Sequence, residues 1–239
     1  YNDNDSPETV NKDGDHDQFT SRARRLEENR TRLLDAYLYT SQQTGDESML
    51  NLRLGQQVVQ WGESLFFPNI AGAQSPADAT KANVPGTEVK DILLPVGQLS
   101  AQWQLNPVFG VAAYYQYQYK PTELDPVGTY FSYTDVVGPG AEFIRAAPGF
   151  NIPRGPDHHP RDSGQWGLST HFAVTSETDL SLFYLRYHDK NPNVEVHYQD
   201  FVPVDYSVVY FDDISLYGAS FSTRLGDVNL AGEVSYKEG

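Results

Sequence analysis

From Gln98 to Lys120, polar and apolar residues alternate on both sides of a turn. Leu99, Ala101, Trp103 and Leu105 alternate with Gln98, Ser100, Gln102 and Gln104. After Asn106-Pro107, Val111, Ala113, Tyr115, Tyr117 and Tyr119 alternate with Ala112, Tyr114, Gln116, Gln118 and Lys120. A period of two puts these sets on opposite faces of an antiparallel hairpin. One face is uncharged and ends in tyrosines, and the other carries glutamines and a lysine. The hairpin therefore predicts a wall between an apolar phase and water.

Similar runs recur along the chain. Residues 1–30 are polar and aperiodic, which predicts a loop or mobile end. From Thr31, Leu34, Ala36 and Leu38 oppose Leu33, Asp35, Tyr37 and Tyr39. After a turn at Gly45-Asp46, Leu50, Leu52 and Leu54 oppose Asn51, Arg53 and Gly55, and the strand continues past Gln57 to Trp61-Gly62-Glu63. Residues 64–97, broken by Pro and Gly, predict a long excursion with a short helix near Pro76 to Lys81. Residues 121–163 predict a second long connection. Two hairpins follow: Trp166 to Val174 with Phe183, Leu185 and Tyr187 opposite Arg186 and His188, then Tyr217 to Leu225 with Val228 to Tyr236.

Two apolar phases fit such strands, a protein core and a bilayer. A β-sandwich core favours large interdigitating side chains. Here the apolar faces mix Ala, Gly and Thr with Leu, and aromatics gather near strand ends, as in the girdles of a membrane barrel. Short turns alternate with long connections, the asymmetry of short periplasmic turns and long extracellular loops. The expected fold is all-β, an antiparallel transmembrane β-barrel, with residues 1–239 one domain incomplete at both ends. A soluble β-sandwich or jelly roll is the alternative.

Composition narrows the function. The 239 residues carry a formal charge of -15, and the basic run Arg22 to Arg25 is followed at once by Glu27 and Glu28, so nucleic acid is not an expected partner. No apolar stretch approaches a membrane helix of about 18 residues. The chain has no Cys, which excludes disulfides and thiolate metal sites. Tyr1 opens without an initiator Met, and Lys237-Glu238-Gly239 closes without a terminal aromatic, so the chain reads as a trimmed fragment.

The segments Leu52 to Ser64, Val84 to Val96 and Tyr119 to Ser132, with Leu34-Asp35-Ala36-Tyr37, resemble the hallmark stretches of the domain-of-unknown-function 1302 (DUF1302) family of proteobacterial outer-membrane proteins. The likeness is specific over Leu33 to Ala141 and loose beyond. Leu65-Phe66-Phe67-Pro68 and Ser75-Pro76-Ala77-Asp78 depart from the family pattern. The resemblance implies a large barrel in the bacterial outer membrane. It also implies uptake or envelope transport of hydrophobic compounds, with a periplasmic lipoprotein-like partner and an inner-membrane transporter of the resistance-nodulation-division (RND) type.

Candidate chemistry is sparse. Arg53, Gln57, Trp61 and Glu63 fall at alternate positions on one face and predict a lumenal patch whose cation and anion set a transverse field, or a salt-bridge network that stiffens the wall. Asp35, Gln102, Gln116, Lys120, Glu123, Asp125, His171 and Arg186 complete the polar-face candidates. Asp13-Gly14-Asp15-His16-Asp17 lacks the pattern of a calcium loop. No nucleophile-elbow motif occurs, and neither a metal nor a cofactor is expected. The leading reading is a non-enzymatic barrel that binds and passes a hydrophobic or amphipathic small molecule, gated by 64–97 and 121–163. A soluble glycan-binding module and an outer-membrane hydrolase are the alternatives. The hydrolase needs a Ser or Asp beside a His such as His171.

Overall fold

The computed structural model of the chain describes residues 20–27, 31–63, 69–132 and 135–239. The acidic Asp13 to Asp17 stretch lies outside the described residues. Among the described residues, twelve strands form three antiparallel sheets with four short helices, the first being α1 (Ser21–Glu27). The main sheet has eight strands: β1 (Ala36–Gly45), β2 (Ser48–Gln57), β3 (Val96–Gln104), β4 (Phe109–Gln116), β7 (Gln165–Thr175), β8 (Thr178–Tyr187), β11 (Ile214–Leu225) and β12 (Val228–Glu238), in that spatial order. The all-β, antiparallel expectation holds. No helix among the described residues is long and apolar enough to cross a membrane, which says nothing about strands. The closed ring of the barrel expectation is not present: β1 and β12 are edges, each paired on one side only.

Tight turns join these strands at one end, around residues 46–47, 105–108, 176–177 and 226–227. The opposite end carries the long connections. Two of them contain hairpins that the sequence reading treated as irregular: β5 (Phe143–Ala147) with β6 (Phe150–Pro153), and β9 (Asn193–Gln199) with β10 (Val202–Val209). Asp200 and Phe201, at the tip of the second hairpin, both have positive φ, of 49° and 66°. Such a turn matches the twist of the strands it joins. Ile152, Tyr206 and Val208 bury against Val136, Val137, Ile144, Val196 and Tyr210, so both connections pack into one cap.

The third long connection folds inward. After Gln57 the chain leaves the ladder and crosses the sheet through α2 (Ala71–Gln74), α3 (Ala79–Ala82) and α4 (Val89–Ile92) before entering β3. The continuous strand expected through Glu63 therefore stops at Gln57. The short helix expected near residues 76–81 appears as α3, with two others. Ile70 and Ala73 pack on Tyr114, Phe183, Leu185, Tyr187 and Leu216 of the wall, forming the main apolar core.

This crossing fixes the shape of the sheet. Glu63 N–H donates to Glu233 of β12 at 2.9 Å. β2 and β12 are six ladder steps apart, about 29 Å in a flat sheet at roughly 4.8 Å per strand. The six residues from Gln57 to Glu63 reach about 21 Å when fully extended. The sheet therefore coils into a trough, with residues 58–63 and 69–95 lying in it.

The two faces of the trough differ sharply. The inner one carries Arg53, Gln57, Gln98, Gln102, Gln116, Gln165, Ser169, Ser220 and Glu233, and the outer one is apolar. Register places Leu54, Leu99, Tyr115 and Trp166 in one outward row and Ala101, Ala113, Leu168, Tyr184, Tyr217 and Tyr236 in the next. Most large members of these rows are exposed, including Leu54, Leu99, Tyr115, Leu168, Tyr217 and Tyr236. On β8 the expected orientation is reversed. Phe183, Leu185 and Tyr187 point inward under the crossing segment, while Leu180, Leu182 and Tyr184 face out. Both sets are apolar, so alternation alone could not orient this strand.

Candidate functional site

Buried glutamines fasten the crossing segment to the wall, Gln57, Gln74, Gln98 and Gln116, while a fifth, Gln165, accepts from the His188 N–H and from Lys190 Nζ at the base of the cap. Buried amides are costly unless paired, and most of these bond to backbone, although Nε2 of Gln74 and of Gln165 has no hydrogen-bond partner among the described residues. Gln57 and Gln98 exchange bonds, Nε2 of each donating to the carbonyl of the other at 3.1 and 2.8 Å. Gln116 Nε2 donates to the Gln74 carbonyl at 2.7 Å, and Gln74 Oε1 accepts the Trp61 N–H at 2.6 Å. At the far wall the Glu233 carboxylate accepts N–H groups of Glu63, at 2.9 Å, and of Ile70, at 3.3 Å. Gly62 sits at φ 85° against this carboxylate, and a Cβ there would collide with Glu233 Oε2. Only glycine combines that conformation with so close an approach.

Below the crossing segment, toward the short turns, lies an open cavity of about 600 Å³. Its lining includes Arg53, Gln57, Trp61, Glu63, Gln102 and His171, so six of the residues picked from sequence converge on one space. Trp61 and Glu63 arrive there from the crossing segment instead of from a strand. The Trp61 ring lies 5.0 Å from Tyr114 and 6.3 Å from Phe183, centroid to centroid. Gly167 makes this possible: a Cβ there would lie 2.9 Å from Trp61 and 2.5 Å from Tyr114. The Arg53 guanidinium stands 5.4 Å over the Tyr37 ring of β1. Glu63 accepts from Ser220 Oγ of β11 at 3.4 Å. Cation and anion thus occupy opposite sides of the trough.

The other candidates lie elsewhere. Gln116 is beneath the crossing segment, and Asp35 is in exposed coil ahead of β1. Lys120 follows β4 and donates to the Pro95 carbonyl at 2.9 Å; burial first, and Arg32 second, lower its pKa. Glu123 pairs with Arg32, which also bridges to Asp78 at 3.1 Å. The Glu123 backbone joins the segment at Ala77 and Ala79, with bonds of 2.8 Å each. Burial, reinforced by Asp78, raises the pKa of Asp125. Arg186 lies on the outer face, in the row of Trp166 and Ser215, where Asp213 accepts from it at 3.3 Å. An arginine at the rim of an apolar band keeps its head group at the polar edge.

Sequence reasoning missed a cluster at the base of the cap. Lys190 is buried, its Nζ donating to Gln165 Oε1 at 2.7 Å and to the His188 carbonyl at 2.9 Å, between the rings of Tyr119 and Tyr187. Desolvation pushes its pKa down to about 7, with Asp189 opposing. Burial also lowers the pKa of His188, whose Nδ1 accepts the Asp213 N–H at 3.0 Å. The Asp189-Lys190-Asn191 sequence reads as an ordinary polar turn, so nothing local betrays the burial. Among the described residues, no group of three or more His, Cys, Asp or Glu could hold a metal.

The profile of the family described as "Protein of unknown function (DUF1302)" matches residues 1–239, the whole chain. The chain belongs to the DUF1302 family. No curated protein and no solved structure matches it significantly. The match extends well past Leu33 to Ala141, the span over which the motifs are specific. In this DUF1302 chain the motif stretches converge in space. Leu52 to Glu63 covers the second half of β2 and the start of the crossing segment, and Val84 to Val96 forms its return through α4. Tyr119 to Ser132 supplies Glu123, which docks on Ala77 and Ala79. The stretches that carry the resemblance therefore lie in the inward segment and its attachments more than in the wall.

Proposed function

We propose that this chain forms part of the wall and the inward plug of a bacterial outer-membrane β-barrel that binds and passes amphipathic small molecules. The observation that carries this reading is the outer face of the eight-stranded sheet. It exposes Leu, Val, Ala, Tyr and Trp across every strand, and within the strands its only charges are Arg186 and Glu238, near one rim. Monomeric soluble proteins rarely expose contiguous apolar patches beyond a few hundred Å². Lipid covers such a face without penalty. Trp166, Tyr184 and Tyr217, whose rings follow one another at 5.1 Å, suit an interfacial girdle at the cap end. Trp103, Phe109 and Phe172 suit one at the turn end. Closure of the ring requires further strands on β1 and β12. A periplasmic lipoprotein-like partner and an inner-membrane transporter of the RND type remain part of the proposal on the family resemblance alone.

Passage requires the crossing segment to move or to leave a path beside it, so the buried glutamines and Glu233 become its fastenings. The test is reconstitution into phospholipid vesicles followed by efflux of a small amphipathic dye. The expected result is stable insertion with slow efflux that accelerates when Glu233 is replaced. Protein that stays monodisperse without detergent and floats with no vesicle sinks the reading.

One observation favours a second reading, hydrolysis. His171 Nδ1 lies 3.3 Å from Ser181 Oγ, and its Nε2 lies 3.3 Å from Asp179 Oδ1. This supplies the Ser and acid that an acyl-transfer site needs. Ser181 sits inside a strand paired on both sides, to His171 and Ser220, so its backbone N–H belongs to the ladder and is not free as an oxyanion donor. An ester-hydrolysis screen of wild type against Ser181→Ala decides: activity lost only in the variant establishes it, and no activity in either removes it.

A further inference from the structure

We propose that the cavity selects amphipathic anions, with Arg53 holding a carboxylate head and the Trp61–Phe183 pair holding the apolar body. This rests on the cavity being the binding site of the transport reading, and it names the solute class. The first support is the state of Arg53. Among the described residues its side chain contacts the Tyr37 ring, 5.4 Å away, and forms no ion pair, whereas Arg32, Arg154, Arg161 and Arg186 are ion-paired; Arg145, over the Phe143 ring, shares this state but does not line the cavity. An arginine stacked on a ring is held in place while its N–H fork stays available, the geometry that recognises a carboxylate through two parallel bonds.

The second support is the order of groups across the trough. Arg53 is on β2, next to the edge strand. Trp61 lies over β4 and β8 through Tyr114 and Phe183, in the middle of the wall. Glu63 is on the far side, at Ser220 of β11. A cation, an aromatic surface and an anion therefore follow one another along the cavity. Only one orientation of an amphipathic acid satisfies all three, with its head at β2 and its tail across Trp61. Glu63 repels a carboxylate from the wrong end, so the orientation is enforced from both sides. A cavity of about 600 Å³ admits a solute of ten to twenty heavy atoms with room for water.

The test uses Trp61 as its own reporter. Trp103→Phe and Trp166→Phe together leave Trp61 as the single indole of the three in the chain. This protein, in detergent micelles, is titrated with 4-phenylbutanoate, 4-phenylbutan-1-ol and 4-phenylbutylamine, which share a body and differ in head charge. The expected result is saturable perturbation of Trp61 emission, with the acid binding at least tenfold tighter than the alcohol and the amine weakest. Arg53→Gln removes the preference for the acid while leaving the alcohol within twofold, and Arg53→Lys keeps part of it. Equal affinity for acid and alcohol in the parent protein overturns the proposal, as does an unchanged preference in Arg53→Gln. Micelles make the outcome independent of vesicle insertion. Insertion without acid preference refutes this inference alone, whereas absence of insertion refutes the transport reading.

Discussion

Replacing Leu182 by arginine separates a lipid-facing wall from a water-facing one. Leu182 lies midway along β8 on the outer face, is 48% exposed, and has Thr170 and Ala219 as its cross-strand neighbours. In water, an arginine at such a site costs next to nothing, within about 0.5 kcal/mol of wild type. In a bilayer, Leu182 sits between the aromatic row at Tyr184 and the phenylalanines at Phe172 and Phe221, near mid-depth. A charge at that depth costs about 2–4 kcal/mol, against about 0–1 near the interface. The expected loss corresponds to roughly 30-fold to 700-fold in the folding equilibrium. Thr223→Arg, on the same face close to the turn end, is the internal control and should lose less than about 1 kcal/mol. The assay is urea titration of protein folded into short-chain phospholipid vesicles. A Leu182→Arg loss no larger than that of Thr223→Arg refutes the reasoning.

Three further outcomes follow from the same geometry. Glu233→Gln weakens two charge-assisted bonds that hold the crossing segment, so it should cost about 1–3 kcal/mol and raise protease cleavage within residues 58–70. An unchanged cleavage rate contradicts the latch. Gly167→Ala drives a methyl into Trp61 and Tyr114, and should destabilise by about 1–3 kcal/mol while shifting Trp61 emission. For Lys190, the folded state lowers the pKa from 10.5 to about 7, so between these values the unfolded chain binds the extra proton and stability rises with pH. Below about 7 both states are charged and the burial cost is borne in full. Hydrogen exchange of the cap should therefore slow relative to Lys190→Met as pH rises from 7 to 10, after correction for intrinsic rates; parallel profiles for the two proteins contradict it.

Apart from β8, the strands of the main sheet were legible because each carries its own two-residue period. Those strands follow from the alternation of residues such as Leu99, Ala101 and Trp103, and the four tight turns from the breaks in it. Three features were not legible, each for a stated reason. β8 is apolar on both faces because one meets the outside and the other meets Ile70, so its orientation depends on a segment distant in sequence. β9 and β10 do alternate, with Val194, Val196 and Tyr198 followed by Val202, Val204 and Tyr206, but their Asp200-Phe201 turn lacks the glycine or asparagine that marks a hairpin. Glu233 looked like any polar-face residue on an edge strand, since its partners, Glu63 and Ile70, are more than 160 residues away. The cavity was readable in part because Arg53, Gln57 and Gln102 share a face by period alone. Trp61 and Glu63 reached the same space by a different route, through a chain that turns at Gly62.

On the proposed reading lipid covers the outer face and not the inner one, and the three tryptophans divide between the two faces. Trp103 and Trp166 face outward, 40% and 39% exposed, and Trp61 lies inside the trough. Single-tryptophan proteins reconstituted into vesicles of acyl-brominated phospholipid test this directly. Strong quenching of Trp103 and Trp166 with Trp61 unaffected is the predicted result. Equal quenching of all three, or of none, contradicts the account.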